Sequence, residues 1–192
     1  MAEDYYNENA DSYFKATAHL DMGDTYAHFL KHISDEGHIL DLGCGSGRDT
    51  KAFLSKGYRV TALDASIEMV KRAQEFAGSD ILHLDFSQIS FENTFDGIFA
   101  CATLLHIPKE ELPDVLMKVH VALKENGVFY FSFKYGDFNG MRNGRHFTDL
   151  NQESLKELLA PLPFEELENW ESTDNRPGRQ DEKWLNGILR KL

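Results

Sequence analysis

The stretch DLGCGSGRD, residues 41–49, sets three alternate glycines behind an acid, directly after the short apolar run HIL. Glycines at this spacing let a ligand approach the backbone closely, and a helix start just beyond them offers free N–H groups. A triphosphatase loop needs Gly-x-x-x-x-Gly-Lys-Ser/Thr, and no lysine stands at that spacing here. A dinucleotide fingerprint needs Gly-x-Gly-x-x-Gly; counted from Gly43, Gly45 fits but the third position is Arg48. Asp41 would also repel a pyrophosphate, whereas it suits a cation. The loop therefore fits a cofactor that joins an amino-acid moiety to a nucleoside. Its ammonium would face Asp41, directly or through water, and its carboxylate the loop amides or the helix start. Its ribose diol would meet Asp64 at the end of YRVTALD, residues 58–64. Asp64 alone does not discriminate, because dinucleotide folds also place an acid on the ribose.

Other side chains could complete such a site. His106 follows the apolar run FDGIFACA and precedes Pro108, where it can accept a proton from an acceptor or hold its loop by bonding backbone. Tyr5, Tyr6 and Tyr13 would cover the pocket from the first helix, with Tyr13 reaching the cofactor carboxylate or packing beside Phe14. Arg142, Arg145 and His146 lie among Gly136, Gly140 and Gly144, a composition suited to a mobile lid. With Arg176 they can bind a carboxylate, a phosphate or another oxyanion. Cys44 and Cys101 read as small buried side chains. His28 and His32 are four apart on a helix but lack the HExxH pattern, so no metal site is expected.

The positioning elements follow from periodicity. Residues 4–20 and 22–33 read as helices, and HILDLG as a buried strand. A helix over 47–56, the strand 58–64, and a helix capped by Ser66 and ended by Gly78 come next. Strands over 80–84 and 95–102 precede a helix opened by Pro108. GVFYFSFKY is apolar on both faces, as a central strand should be. A glycine-rich loop (136–147), a helix near 151–160 and strands near 164–170 and 184–192 close the chain. This alternation predicts one α/β domain over 1–192, with helices on both faces of a mainly parallel sheet and ligands at the strands' carboxyl ends. Residues 1–35 are expected to cap the cofactor site and 136–147 to form a substrate lid.

DLGCGSG, VTALDAS, LHLDF and FDGIFACATLLHIP together resemble the class I S-adenosylmethionine-dependent methyltransferases, over roughly residues 36–135. More narrowly, GSGRDT, CATLLHIPKEELP, FKYG and RPGRQDEKWLNGILRK are similar to small bacterial methyltransferases labelled tellurite-resistance-related. The resemblance implies a Rossmann-like fold, with a seven-stranded, mostly parallel sheet and an antiparallel last strand. It implies S-adenosylmethionine as cofactor and S-adenosylhomocysteine as product. Asp41, Gly43, Cys44, Gly45 and Gly47 would surround the methionine part, and Asp64 would hold the ribose. Ala65, Ser66, Asp85 and Phe86 would lie by the adenine, and Ala100 and Cys101 by the methionine and sulfonium. The expected reaction is methyl transfer to a small molecule, with His106 the first candidate base and a tyrosine the second. The acceptor contacts would be Tyr5, Tyr6, Arg142, Arg145, His146 and Arg176.

Composition narrows the alternatives. The 192 residues carry a net charge of -12, which disfavours nucleic acid and anionic membranes as partners. The acidic, polar start and two well-separated cysteines suggest a cytoplasmic protein with free thiols. The alternatives are a non-catalytic S-adenosylmethionine-binding protein and, against Arg48 and Asp41, an NAD(P)-dependent oxidoreductase. Sequence leaves the oligomeric state and the acceptor open.

Overall fold

A computed structural model describes residues 2–192. Its strands are β1 (His38–Leu42), β2 (Arg59–Asp64), β3 (Leu82–His83), β4 (Phe95–Ala100), β5 (Leu123–Lys134), β6 (Asn139–Arg142), β7 (Arg145–Thr148), β8 (Phe164–Thr173) and β9 (Lys183–Lys191). The helices are α1 (Ala2–Thr17), α2 (Gly23–Leu30), α3 (Arg48–Ser55), α4 (Ile67–Ala77), α5 (Leu112–Ala122) and α6 (Gln152–Leu159). Seven strands form one sheet in the order β3-β2-β1-β4-β5-β9-β8. Strands β1 to β5 pair in parallel, and β9 enters antiparallel between β5 and β8. The order reverses between β1 and β4, which is where open α/β sheets bind ligands. The fold is the expected Rossmann-like methyltransferase architecture.

Two-residue alternation divides the core. Leu40, Leu42, Ile98, Phe129, Phe131 and Phe133 pack with α5 and α6 on one face. Ile39, Phe99, Val128 and Tyr130 pack with Tyr26, Phe29 and Phe53 of α2 and α3 on the other. Asp41 shares this second parity. Ser66 caps α4 by accepting the Met69 N–H, and Gly78 ends it at φ 67, both as the sequence indicates.

Three expectations are corrected. The segment 136–147 is no open lid loop: β6 and β7 form an antiparallel ribbon turned by Asn143 and Gly144 at φ 51 and 77. Positive φ at both central positions is what a two-residue type I′ hairpin turn requires. The helix after β4 starts at Leu112 with Pro113 in its first turn, while Pro108 begins a turn closed by the Glu111 N–H. The third strand is only two residues long. Among the described residues, no helix is long and apolar enough to cross a membrane.

Candidate functional site

The glycine loop after β1 and the segment after β4 meet at the reversal of strand order. Gly43, Gly45 and Gly47 have φ of 73, 51 and 76. What approaches them is partly the protein itself. A Cβ on Gly43 would lie 2.0 Å from Thr103 Oγ1, and one on Gly45 would lie 3.2 Å from the Tyr13 ring. A Cβ on Gly47 would lie 3.0 Å from Ala73 in α4. Gly43 and Gly45 also form the wall of a narrow cavity of about 70 Å³, together with Asp64, Ala65, Ser66 and Asp85.

Asp64 ends β2 inside this cavity. Its Oδ2 accepts the Gly45 N–H at 2.8 Å and its Oδ1 the Ser66 N–H at 2.9 Å. Burial raises its pKa, and the backbone donors oppose that rise. Each carboxylate oxygen keeps a further lone pair for a ligand hydroxyl. Leu84, Phe86 and Ala102 add apolar surface beside it. Asp85 caps the short turn Phe86–Gln88, accepting the Ser87 hydroxyl and N–H, and these bonds hold its carboxyl below the usual range. An acid for a diol, apolar surface and a glycine backbone are the chemistry that the nucleoside of S-adenosylmethionine calls for.

Helix α1 closes this cavity. Asn7 Oδ1 accepts the Ser66 hydroxyl at 2.7 Å and the Glu68 N–H at 3.3 Å. Beyond a non-helical residue, Asn9, Asp11 takes two bonds from Arg72, and Phe14 meets Phe76 edge-on. Helix α1 thus lines this cavity, and both α1 and α2 form part of the wall of a larger cavity of about 1430 Å³. Tyr6, Tyr13, Ala102 and His106 line both cavities and mark their junction.

His106 is held at both ring nitrogens. Its Nδ1 lies 2.9 Å from the His146 carbonyl oxygen, which can only accept, so Nδ1 carries the proton. Its Nε2 therefore accepts the Tyr6 hydroxyl, at 2.8 Å. Burial pushes the imidazole down to about 4. The Tyr6 oxygen also accepts Arg145 Nη1 at 3.0 Å, and the Arg145 guanidinium lies over the Tyr5 ring at 3.8 Å. Tyr6 thus covers the nitrogen expected to take a proton directly from an acceptor.

Several expected residues sit elsewhere. Asp41 is fully buried, outside both cavity walls, and accepts the Thr50 hydroxyl at 2.5 Å. Burial and nearby Asp49 push its carboxyl well up. Its position on β1 aims it at Thr50 of α3. Cys44, Gly47 and Ala100 are likewise outside both walls. Cys101 lines the larger cavity, but burial pushes its thiol up to about 11, which leaves it a poor nucleophile. Arg142 and Arg176 do line the larger cavity, but Arg142 pairs with Asp149 at 2.8 Å and the Arg176 side chain makes two bonds to Asp174. His146 bonds Asn139 and Thr148 within the ribbon, and Tyr5 stands behind Arg145, so neither is a wall residue. His28 and His32 both bond Glu168 at 2.8 Å, tying α2 to β8.

Sequence reasoning missed other wall residues. Arg48, read only as a misfit in a dinucleotide motif, lines the larger cavity and holds Asp49 by two bonds of 2.8 Å. Lys134 ends β5 there, bonded to Asp174 and Glu182 and placed over the Trp184 ring. A lysine closing the apolar run VFYFSF was its signal. Thr103, in the wall of the smaller cavity, had none, nor had Asn7, which ties α1 to Ser66.

Residues 39–127 match a family model described as a methyltransferase domain. An uncharacterized methyltransferase of Staphylococcus carnosus is 29% identical over 156 residues, which cover 71% of this chain and 75% of that protein. A putative methyltransferase of Bacillus subtilis is 31% identical over 116 residues, 55% of this chain. The chain spans only 47% of that second relative's length. Among solved structures, a Burkholderia thailandensis 1,6-didemethyltoxoflavin N1-methyltransferase superposes with a TM-score of 0.78 at 26% identity. The match covers 98% of this chain and 84% of that one, which holds 1,6-didemethyltoxoflavin and S-adenosylhomocysteine.

Proposed function

We propose that the chain is a class I S-adenosylmethionine-dependent methyltransferase whose acceptor is a small molecule held in the larger cavity. S-adenosylmethionine supplies a methyl group on a sulfonium, whose departure as a neutral thioether needs no activation by the protein. The chain's task is to orient the acceptor and exclude water. One observation carries this reading: the narrow slot around Asp64 and the larger cavity share Tyr6, Tyr13, Ala102 and His106. A methyl donor bound in one can meet an acceptor bound in the other only at that junction.

The bound heterocycle of the Burkholderia enzyme supports a planar acceptor here, as do the Trp170 and Trp184 rings in the cavity wall. A chalcogen oxyanion, implied by the narrower tellurite-resistance resemblance, is the second reading. Arg145 favours it, since this cation bonds a hydroxyl at the junction whereas Arg176 is clamped by Asp174. The two free cysteines support a reducing, cytoplasmic setting, and the net charge of -12 supports no nucleic-acid partner. S-adenosylhomocysteine formation should be measured with phenols, heteroaromatic N–H compounds, thiols and tellurite. The proposal expects turnover with at least one small acceptor. Cofactor binding with no turnover in any of them would contradict it.

A further inference from the structure

The hydrogen bonds at the junction fix who can touch the acceptor. A tyrosine hydroxyl has one proton and two lone pairs. The Tyr6 proton goes to His106 Nε2 and one lone pair takes Arg145 Nη1, at 2.8 and 3.0 Å. One lone pair remains, on the hydroxyl of a residue that lines both cavities. His106 has no such vacancy: Nδ1 is spent on the His146 carbonyl and Nε2 on Tyr6. From this geometry we infer that Tyr6 is the catalytic residue that takes the acceptor's proton, and that the acceptor is a weakly acidic hydroxyl such as a phenol or enol. His106 acts through Tyr6 and is a positioning residue.

The inference rests on the function proposed above and narrows its substrate. An acceptor that attacks as a preformed anion, such as a thiolate, has no use for a relay. A hydroxyl does, because it must lose its proton as its oxygen bonds carbon. In the balanced step the acceptor oxygen bonds the methyl carbon, and the carbon–sulfur electron pair stays on sulfur. The hydroxyl proton passes to Tyr6 Oη as the Tyr6 proton passes to His106 Nε2. One positive charge vanishes at sulfur and one appears on the imidazole, so the buried junction keeps its net charge. Arg145 keeps the Tyr6 oxygen oriented during the exchange.

The test uses the full chain, with catechol as the hydroxyl probe and 2-mercaptoethanol as a probe that attacks as its thiolate. Tyr6→Phe should lower kcat on catechol roughly 100-fold or more. The ratio of the catechol rate to the thiol rate should fall by a similar factor, whatever the substitution does to S-adenosylmethionine binding. His106→Gln keeps an acceptor for the Tyr6 hydroxyl but no imidazole, and should also depress the catechol rate selectively. A readout independent of acceptor and cofactor is nitrogen NMR. It should find His106 protonated at Nδ1, with an Nε2 resonance that shifts in Tyr6→Phe. An unchanged catechol rate in Tyr6→Phe, equal losses on both probes, or a proton on Nε2 would each overturn the inference. So would wild-type protein that binds the cofactor but leaves catechol unmethylated. Wild-type protein that fails to bind S-adenosylmethionine would instead overturn the proposed function.

Discussion

At the scale of single residues, the glycine loop serves packing and binding at once. Gly43 shows this most sharply, because a methyl group there would overlap Thr103 at 2.0 Å and its φ is 73. Left-handed backbone with a Cβ and overpacking together should cost about 3 kcal/mol. For a domain of this size, Gly43→Ala should then lower Tm by roughly 6–12 °C in a calorimetric scan. A change under about 2 °C would mean that Thr103 yields freely. The same residues show what sequence could reveal. The place of Asp64 in the cavity wall was legible because it ends the strand that follows the glycine loop and its helix, at the carboxyl edge of the sheet. The Asp41 side chain was not, because its direction depends on strand parity, which puts it against Thr50 instead of the cavity. The Tyr6–His106 bond joins residues 100 apart and no spacing rule could find it.

At the scale of elements, α1 is two pieces joined at Asn9, whose φ of -111 and ψ of 15 leave the helical region. The piece after it is pinned to α4 by Arg72 and Phe76. The piece before it is latched by Asn7 on Ser66 and Tyr6 on His106. A slot of about 70 Å³ is far below the roughly 300 Å³ at the low end of small-molecule sites, so the leading piece has to swing for a nucleoside to enter. Asn7→Ala removes two hydrogen bonds worth about 1–2 kcal/mol together. Hydrogen exchange should accelerate by roughly five- to thirtyfold over residues 2–8 and hardly change over 10–17. Uniform acceleration along α1 would contradict a hinge at Asn9. The β6–β7 ribbon was legible too, since Asn143-Gly144 is a hairpin signal, but the surrounding glycines and arginines drew the reading toward a loop. Helix α5 began late because Pro108 suits a turn as well as a helix start, and the choice fell to packing of Leu112.

At the scale of the whole molecule, the sheet order places a half-buried neutral histidine at the junction of the two cavities, and stability should report it. The folded-state pKa of His106, about 4, lies below its ordinary value near 6.5. Between those values the unfolded chain binds a proton that the folded chain does not, so stability rises with pH across that window. The contribution is at most about 3 kcal/mol, complete above pH 6.5 and lost as pH falls toward 4. In urea titrations, His106→Gln should flatten that acid limb; an unchanged limb would show that other groups produce it. Alternation of strands and helices made the fold readable along the chain, whereas the larger cavity assembles from α1, α2, the ribbon and the β8–β9 pair, elements that meet only in three dimensions. The central claim is that the slot around Asp64 binds S-adenosylmethionine, and calorimetric titration tests it most directly. The wild-type protein should bind S-adenosylmethionine and S-adenosylhomocysteine but not NAD, and Asp64→Ala should weaken both by roughly 100-fold, the loss of about two charge-assisted bonds. Equal binding by Asp64→Ala, or no binding by the wild-type protein, would contradict the account.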